Sequence, residues 1–288
     1  MNELRGLGTA LITPFKADGS VDYDALKRLL DIQLNGYVDY IVVLGTTGEA
    51  ATMSADEKRE VRQFIVRYVN GRLPLVLGVG GNNTAAVCAD LEAMREELVR
   101  DYAAILSVCP YYNKPNQEGL YQHFCKVAEA SPVPVLLYNV PGRTGVNLLP
   151  ETVMRIYEAQ PEKIIGIKEA SGNIEQIKHL IAISSQFSVF SIISGDDGIA
   201  AEVMEAGGAG LISVASNAFP EDFYKIVHEK DQVKQAKYAE MVRLLFAEGN
   251  PVGIKAVLAQ KGIIQNYLRL PLVPASKELQ ESIKKELA

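Results

Sequence analysis

At 288 residues with 48% hydrophobic side chains, the chain carries enough apolar material for one sizeable core, and α/β barrels reach this length as a single unit. A formal net charge of −6 excludes the basic face of a nucleic-acid binder and makes any anion site a local cluster. Cys88, Cys109 and Cys125 read as reduced buried thiols, and His123, His179 and His228 lack ligand spacing, so neither disulfide framework, metal nor other cofactor is expected. With no leader-like segment before the first strand pattern and no apolar run near the ~20 residues of a membrane span, a soluble, cytoplasmic chain is expected.

The chain then alternates short apolar runs with amphipathic stretches. Gly8–Phe15 reads as a strand, followed by a helix over Asp22–Asn35 with Leu26, Leu29, Leu30 and Leu34 on one face and Gly36 as C-cap. Tyr40–Gly45 is the second strand, and Ser54–Asn70 the second helix, opening on an N-cap with Glu57 three residues on. Leu73–Gly78 pairs with a helix over Asn83–Leu98, and Ala103–Cys109 with Gln117–Ala130. Val133–Val140 precedes Leu149–Gln160, and Lys163–Lys168 precedes Ile174–Ser184. Phe187–Ser194 with Gly198–Ala206, then Ala209–Val214 with Glu221–Glu229, complete eight strand–helix units. The strands are Val-, Ile- and Leu-rich nearly throughout, as strands buried on both faces should be. Eight such units predict a (β/α)8 TIM barrel over residues 1–229. Helices over Gln232–Glu248, Pro251–Lys261 and Ser276–Leu287 predict a three-helix extension over 230–288.

A barrel of this kind carries its chemistry at the C-terminal ends of its strands. The unusual residues fall there: Gly45–Glu49, Pro110–Pro115, Tyr138–Gly145, Gly166–Gly172, Ser194–Asp197 and Ser213–Asn217. Lys168 follows three isoleucines, so its amine enters an apolar mouth, where desolvation favours the neutral, nucleophilic form. A strand-end lysine that snorkels to solvent or pairs with Glu169 is the alternative reading. Tyr138 ends the neighbouring strand and offers a phenol for the proton transfers of imine chemistry, or else a core tyrosine. Thr46 and Thr47 suit a substrate carboxylate or a tight turn. Arg143, in a glycine-bounded loop, suits bidentate carboxylate binding or a surface ion pair. No P-loop, dinucleotide fingerprint, His-Glu-x-x-His or Gly-x-Ser-x-Gly element offers rival chemistry.

Gly-Thr-Thr-Gly-Glu, Tyr-Tyr-Asn-Lys-Pro, Tyr-Asn-Val-Pro-Gly-Arg-Thr-Gly and Gly-Ile-Lys-Glu-Ala-Ser-Gly, with Asn250–Lys255 in the tail, stand in the order of the pyruvate-dependent class I aldolases. Over the whole chain the sequence resembles those enzymes, and among them the dihydrodipicolinate synthase family. N-acetylneuraminate lyases are similar but lack the Gly-Arg-Thr element. The resemblance implies a lyase in which Lys168 forms a Schiff base with pyruvate and the enamine adds to L-aspartate 4-semialdehyde. It implies a hydroxyl relay of Tyr138, Thr47 and Tyr112, the last lent by a neighbouring subunit of a homotetramer. Thr46, Gly195 and Ile212 match positions that hold pyruvate, and Arg143 matches the arginine that binds the semialdehyde carboxylate.

One departure concerns regulation. Family members inhibited by lysine hold it with polar or acidic groups at the dimer interface. Here Asn82 and Tyr111 are retained, but the matching set also includes Ala50, Ala51, Ala55, Lys58 and Ala86. Lys58 would repel the ligand's ammonium and Ala86 supplies no countercharge, so weak or absent inhibition is expected.

Overall fold

Short runs of β-branched and aliphatic residues, each bounded by turn residues, form eight strands: β1 (Gly6–Ala10), β2 (Tyr40–Val43), β3 (Leu75–Val79), β4 (Ala104–Val108), β5 (Val135–Asn139), β6 (Ile164–Glu169), β7 (Ser191–Ser194) and β8 (Gly210–Ser213). Their order in the sheet is their order in the chain, and the sheet closes. The fold is the expected (β/α)8 barrel with C-terminal helices. The computed structural model describes residues 4–35, 37–187 and 190–288, so the C-cap expected at Gly36 and part of the seventh strand pattern lie outside the described residues. Among the described residues no helix is long and apolar enough to cross a membrane.

The chain divides into two compact units, Met1–Gly6 with Pro74–Ile212 and Leu7–Leu73 with Ser213–Ala288. In the first, strands β3 to β8 pair in parallel register, and each helical layer supplies leucine, isoleucine and phenylalanine to the core. The helix expected over Asn83–Leu98 is two helices, α3 (Thr84–Ala93) and α4 (Arg95–Asp101), hinged at Met94. No Gly or Pro marks that break, which is why the residue pattern reads straight through it. Helices α5 (Gln117–Ala130), α7 (Pro150–Ala159) and α8 (Ile174–Ser184) match their patterns closely. Between β5 and α7 the glycine-bounded loop winds into a short helix, α6 (Pro141–Thr144), with Pro141 in its first turn and Gly145 at φ +77° after it. Proline at a helix start and a left-handed glycine at its end explain that turn. After β7 the expected helix starts as a 3-10 turn, Asp197–Ile199, before α9 (Ala200–Glu205).

In the second unit, β1 pairs with β2 only as far as Ala10, well short of the expected Phe15. Leu11 still donates to the Val42 carbonyl at 3.1 Å, but Ile12 to Phe15 leave the ladder while staying buried, and Ile12 donates instead to the Asn217 side chain. Pro14 lacks the N–H that a continuing strand would need. Asp22 caps α1 (Tyr23–Leu34), and Ser54 and Glu57 close a full capping box on α2 (Ala55–Val69). The tail folds as α11 (Gln232–Phe246), α12 (Val252–Gln260) and α13 (Lys277–Glu286), packed together beside α10 (Pro220–His228).

Candidate active site

Lys168 lies in β6 with its side chain 7% exposed, and its Nζ sits 4.4 Å from the centroid of the Tyr138 ring on β5. A register shift creates this pairing. Val135 pairs with Ile164, but the next residue, Leu136, pairs with Gly166, leaving Ile165 as a spare residue in β6. Beyond the shift Tyr138 stands opposite Lys168. Without it Tyr138 would face Ile167, because one residue of slip carries a side chain to the other face of a strand. Gly166 permits the bulge: it has φ +154°, and a Cβ there would meet the Ser191 carbonyl oxygen at 2.1 Å. Gly195, just past β7, clears the space beside the amine, since a Cβ at that position would come within 2.8 Å of the Lys168 Cε.

Arg143 is in α6, exposed, in the loop that leaves β5 directly after Asn139. That loop holds the one after β4, where the Tyr112 N–H donates to the Thr144 carbonyl at 3.3 Å. Tyr112 has φ +73°, unusual for a tyrosine, and its side chain is 87% exposed. Tyr111 is exposed as well, and its carbonyl accepts from the Asn82 side chain at 3.1 Å, while the Asn113 side chain returns a bond to the Asn82 carbonyl. Ile212 is buried in β8. The first unit therefore assembles Lys168, Tyr138 and Gly195 at one point and links Arg143's loop to Tyr112's.

In the second unit Thr46 and Thr47 open a 3-10 turn after Gly45. The leading amides of such a turn have no acceptor within it, which suits a carboxylate. Thr46 is exposed, whereas Thr47 is buried and its hydroxyl oxygen accepts from the Asn250 side chain at 2.8 Å. The turn ends at Glu49, which is left-handed at φ +53° and forms a fully buried ion pair with Lys255 of α12. Lys255 also donates to the Tyr267 carbonyl and lies over the Phe15 ring, and burial pulls its ammonium down to about 8 despite Glu49.

Residue reasoning missed Asn250, Lys255 and Glu49 as supports of the Thr46–Gly48 turn. The signal was present: Glu49 ends one conspicuous motif, and Asn250 and Lys255 bracket another. It read Glu169, beside Lys168 in sequence and fully buried, only as a possible ion-pair partner. Its carboxylate accepts from the Asn139 side chain, the Gln176 side chain and the Ser171 N–H at 2.9, 3.1 and 2.8 Å. The alternative of a Lys168–Glu169 ion pair is not what forms.

Known proteins are similar to this chain in sequence and in fold. A 4-hydroxy-tetrahydrodipicolinate synthase of Azobacteroides pseudotrichonymphae is 47% identical over 99% of this chain and 96% of its own. A crystal structure of dihydrodipicolinate synthase from Thermotoga maritima superposes with a TM-score of 0.94 at 39% identity, over 99% of this chain and 98% of that one. The chloride-inhibited dihydrodipicolinate synthase from Acinetobacter baumannii, solved with pyruvate, superposes at 0.92 with 38% identity, over 98% and 97% of the two chains. Residues 3–288 match the Dihydrodipicolinate synthetase family as a whole, and the chain belongs to that family.

Proposed function

We propose that the chain is a lyase that condenses pyruvate with L-aspartate 4-semialdehyde, the 4-hydroxy-tetrahydrodipicolinate synthase reaction that opens diaminopimelate and lysine biosynthesis. The observation that carries this reading is the nearly buried Lys168 amine held against Tyr138, with Gly195 leaving room beside it. Lys168 attacks the keto carbon, the carbinolamine loses water, and an imine forms. Loss of a methyl proton gives the enamine, whose carbon adds to the aldehyde. The semialdehyde's amino group then attacks the imine carbon, displaces Lys168 and closes the ring.

Tyr138, Thr47 and Tyr112 carry the protons in this scheme. Thr46, Gly195 and Ile212 hold pyruvate, and Arg143 takes the semialdehyde carboxylate through a bidentate contact. The reaction needs no metal or organic cofactor. The assembly is a cytoplasmic homotetramer, a dimer of dimers, in which each Tyr112 serves a neighbour's site; the exposed, left-handed Tyr112 supports that role. Residues 1–229 make up the catalytic barrel and 230–288 the helical extension.

A coupled assay with a panel of acceptors tests the substrate. Turnover with L-aspartate 4-semialdehyde, and little with sugar-acid or hydroxyproline-derived aldehydes, supports the reading; the reverse order assigns another pyruvate aldolase, and no turnover with any acceptor a keto-acid sensor. In the same assay free lysine at submillimolar concentration is expected to inhibit weakly or not at all, because Lys58 and Ala86 stand where acidic or polar groups would hold its ammonium.

A further inference from the structure

At the end of β6 lies a largely buried polar network that the reaction scheme does not use. Glu169 is 0% exposed and hydrogen-bonded only as an acceptor. The Asn139 amide donates both to Glu169 and to the Asn147 side-chain oxygen, at 2.9 and 2.7 Å. Asn147 and Gln176 exchange bonds of 2.8 and 3.1 Å, and Gln176 donates on to Glu169. The Asn139 oxygen meanwhile accepts from the Leu148 N–H at 2.9 Å.

Asn139 and Asn147–Leu148 are the two ends of the loop that carries Arg143. Between them the loop is tied to itself, since the Thr144 hydroxyl reaches the Val140 and Val146 carbonyls. A segment stiff within itself and pinned at both ends moves only if the pins give. We propose that Glu169 is a positioning residue: its carboxylate fixes the orientation of the Asn139 and Gln176 amides, and through them sets Arg143 relative to the strand bearing Lys168. The proposal rests on the reading of Arg143 as the acceptor's carboxylate site.

The role requires a carboxylate. A glutamine at 169 would turn an NH2 either onto the Ser171 N–H or onto the Asn139 and Gln176 amides. Asn139 cannot flip to relieve the clash without abandoning Leu148. A buried donor facing a donor is left unsatisfied, and that is worth about a tenfold effect or more.

The test compares the full-length wild type with Glu169→Gln and with Gln176→Leu, a milder change at a half-buried position. Melting curves report folding. Amide hydrogen exchange over 140–149 reports the loop, and steady-state kinetics and borohydride trapping report the site. In Glu169→Gln, exchange over 140–149 is expected to speed up about tenfold while α5 is unchanged. The semialdehyde KM rises about tenfold and pyruvate trapping at Lys168 stays within about twofold. Gln176→Leu shifts both in the same direction by less, and decides the matter if Glu169→Gln does not fold. Unchanged loop exchange in the folded variants overturns the proposal, as does a rise spread equally over α5, or a loss of trapping that matches the loss of turnover. If the wild type traps no pyruvate, the functional reading falls, and the exchange data alone decide what Glu169 does.

Discussion

An amine becomes a useful nucleophile when its surroundings give it a direction, and Lys168 receives one from neighbours on either side. Tyr138 offers its ring at 4.4 Å, and Gly195 withholds a side chain that would strike Cε. Lysine, tyrosine and threonine stood out in the sequence because each is an unusual residue at a strand end. Glu169 did not, because a carboxylate next to a lysine reads as a salt bridge, whereas in the fold its partners are neutral amides. Asn250 was hidden for another reason: it lies 203 residues from the Thr47 it contacts. On the proposed reading, Arg143 separates the two substrates. Arg143→Ala is expected to raise the semialdehyde KM about thirtyfold or more while pyruvate trapping is unchanged, since a charge-assisted bidentate contact is lost for one substrate only. Steady-state kinetics with each substrate varied in turn would show it; an equal loss for pyruvate would remove Arg143 from the acceptor site.

At the scale of elements, strand and helix order was legible because periodicity reports burial, and burial is strong in a barrel. Three features escaped it. The break at Met94 has no local breaker, the α6 turn is too short to show a period, and the bulge at Ile165 leaves the apolar run unmarked. The bulge matters most, since it decides which residue faces Tyr138. Gly166→Ala is expected to destabilise the fold by about 2–3 kcal/mol and reduce trapping at Lys168, because a Cβ there collides with the Ser191 backbone and φ +154° is strained for any other residue. Urea denaturation and trapping measure the two effects; a variant that matches wild type in both would show that β6 accommodates a regular register.

Helix α5 contributes a pH dependence. His123 is buried with its Nδ1 against the Thr84 hydroxyl and no partner for Nε2, and burial pulls its imidazole down to about 4. The unfolded chain therefore takes up the proton first. The stability contributed by the neutral ring is complete above pH 6.5 and declines as pH falls toward 4, by about 3 kcal/mol at the most. Denaturation midpoints at pH 7, 5.5 and 4 should fall more steeply in wild type than in His123→Gln; parallel curves would acquit His123.

For the whole molecule, the barrel was legible from eight repeats of one rhythm, whereas the proposed assembly was not, because a subunit interface leaves no period in the chain. It entered through the resemblance, and the exposed, left-handed Tyr112 gives it a physical handle. If Tyr112 completes a neighbour's site, Lys168→Ala and Tyr112→Phe subunits that are each nearly inactive should regain about a quarter of wild-type activity after dissociation and random reassociation. A mixture no more active than its parts would place Tyr112 in its own subunit's site. Every step of the proposed reaction nevertheless depends on one covalent bond. Borohydride reduction in the presence of pyruvate, followed by peptide mapping, tests it directly. The expected result is a single reduced pyruvate adduct on the peptide containing Lys168, absent from Lys168→Ala; an adduct on another lysine, or none, contradicts the account.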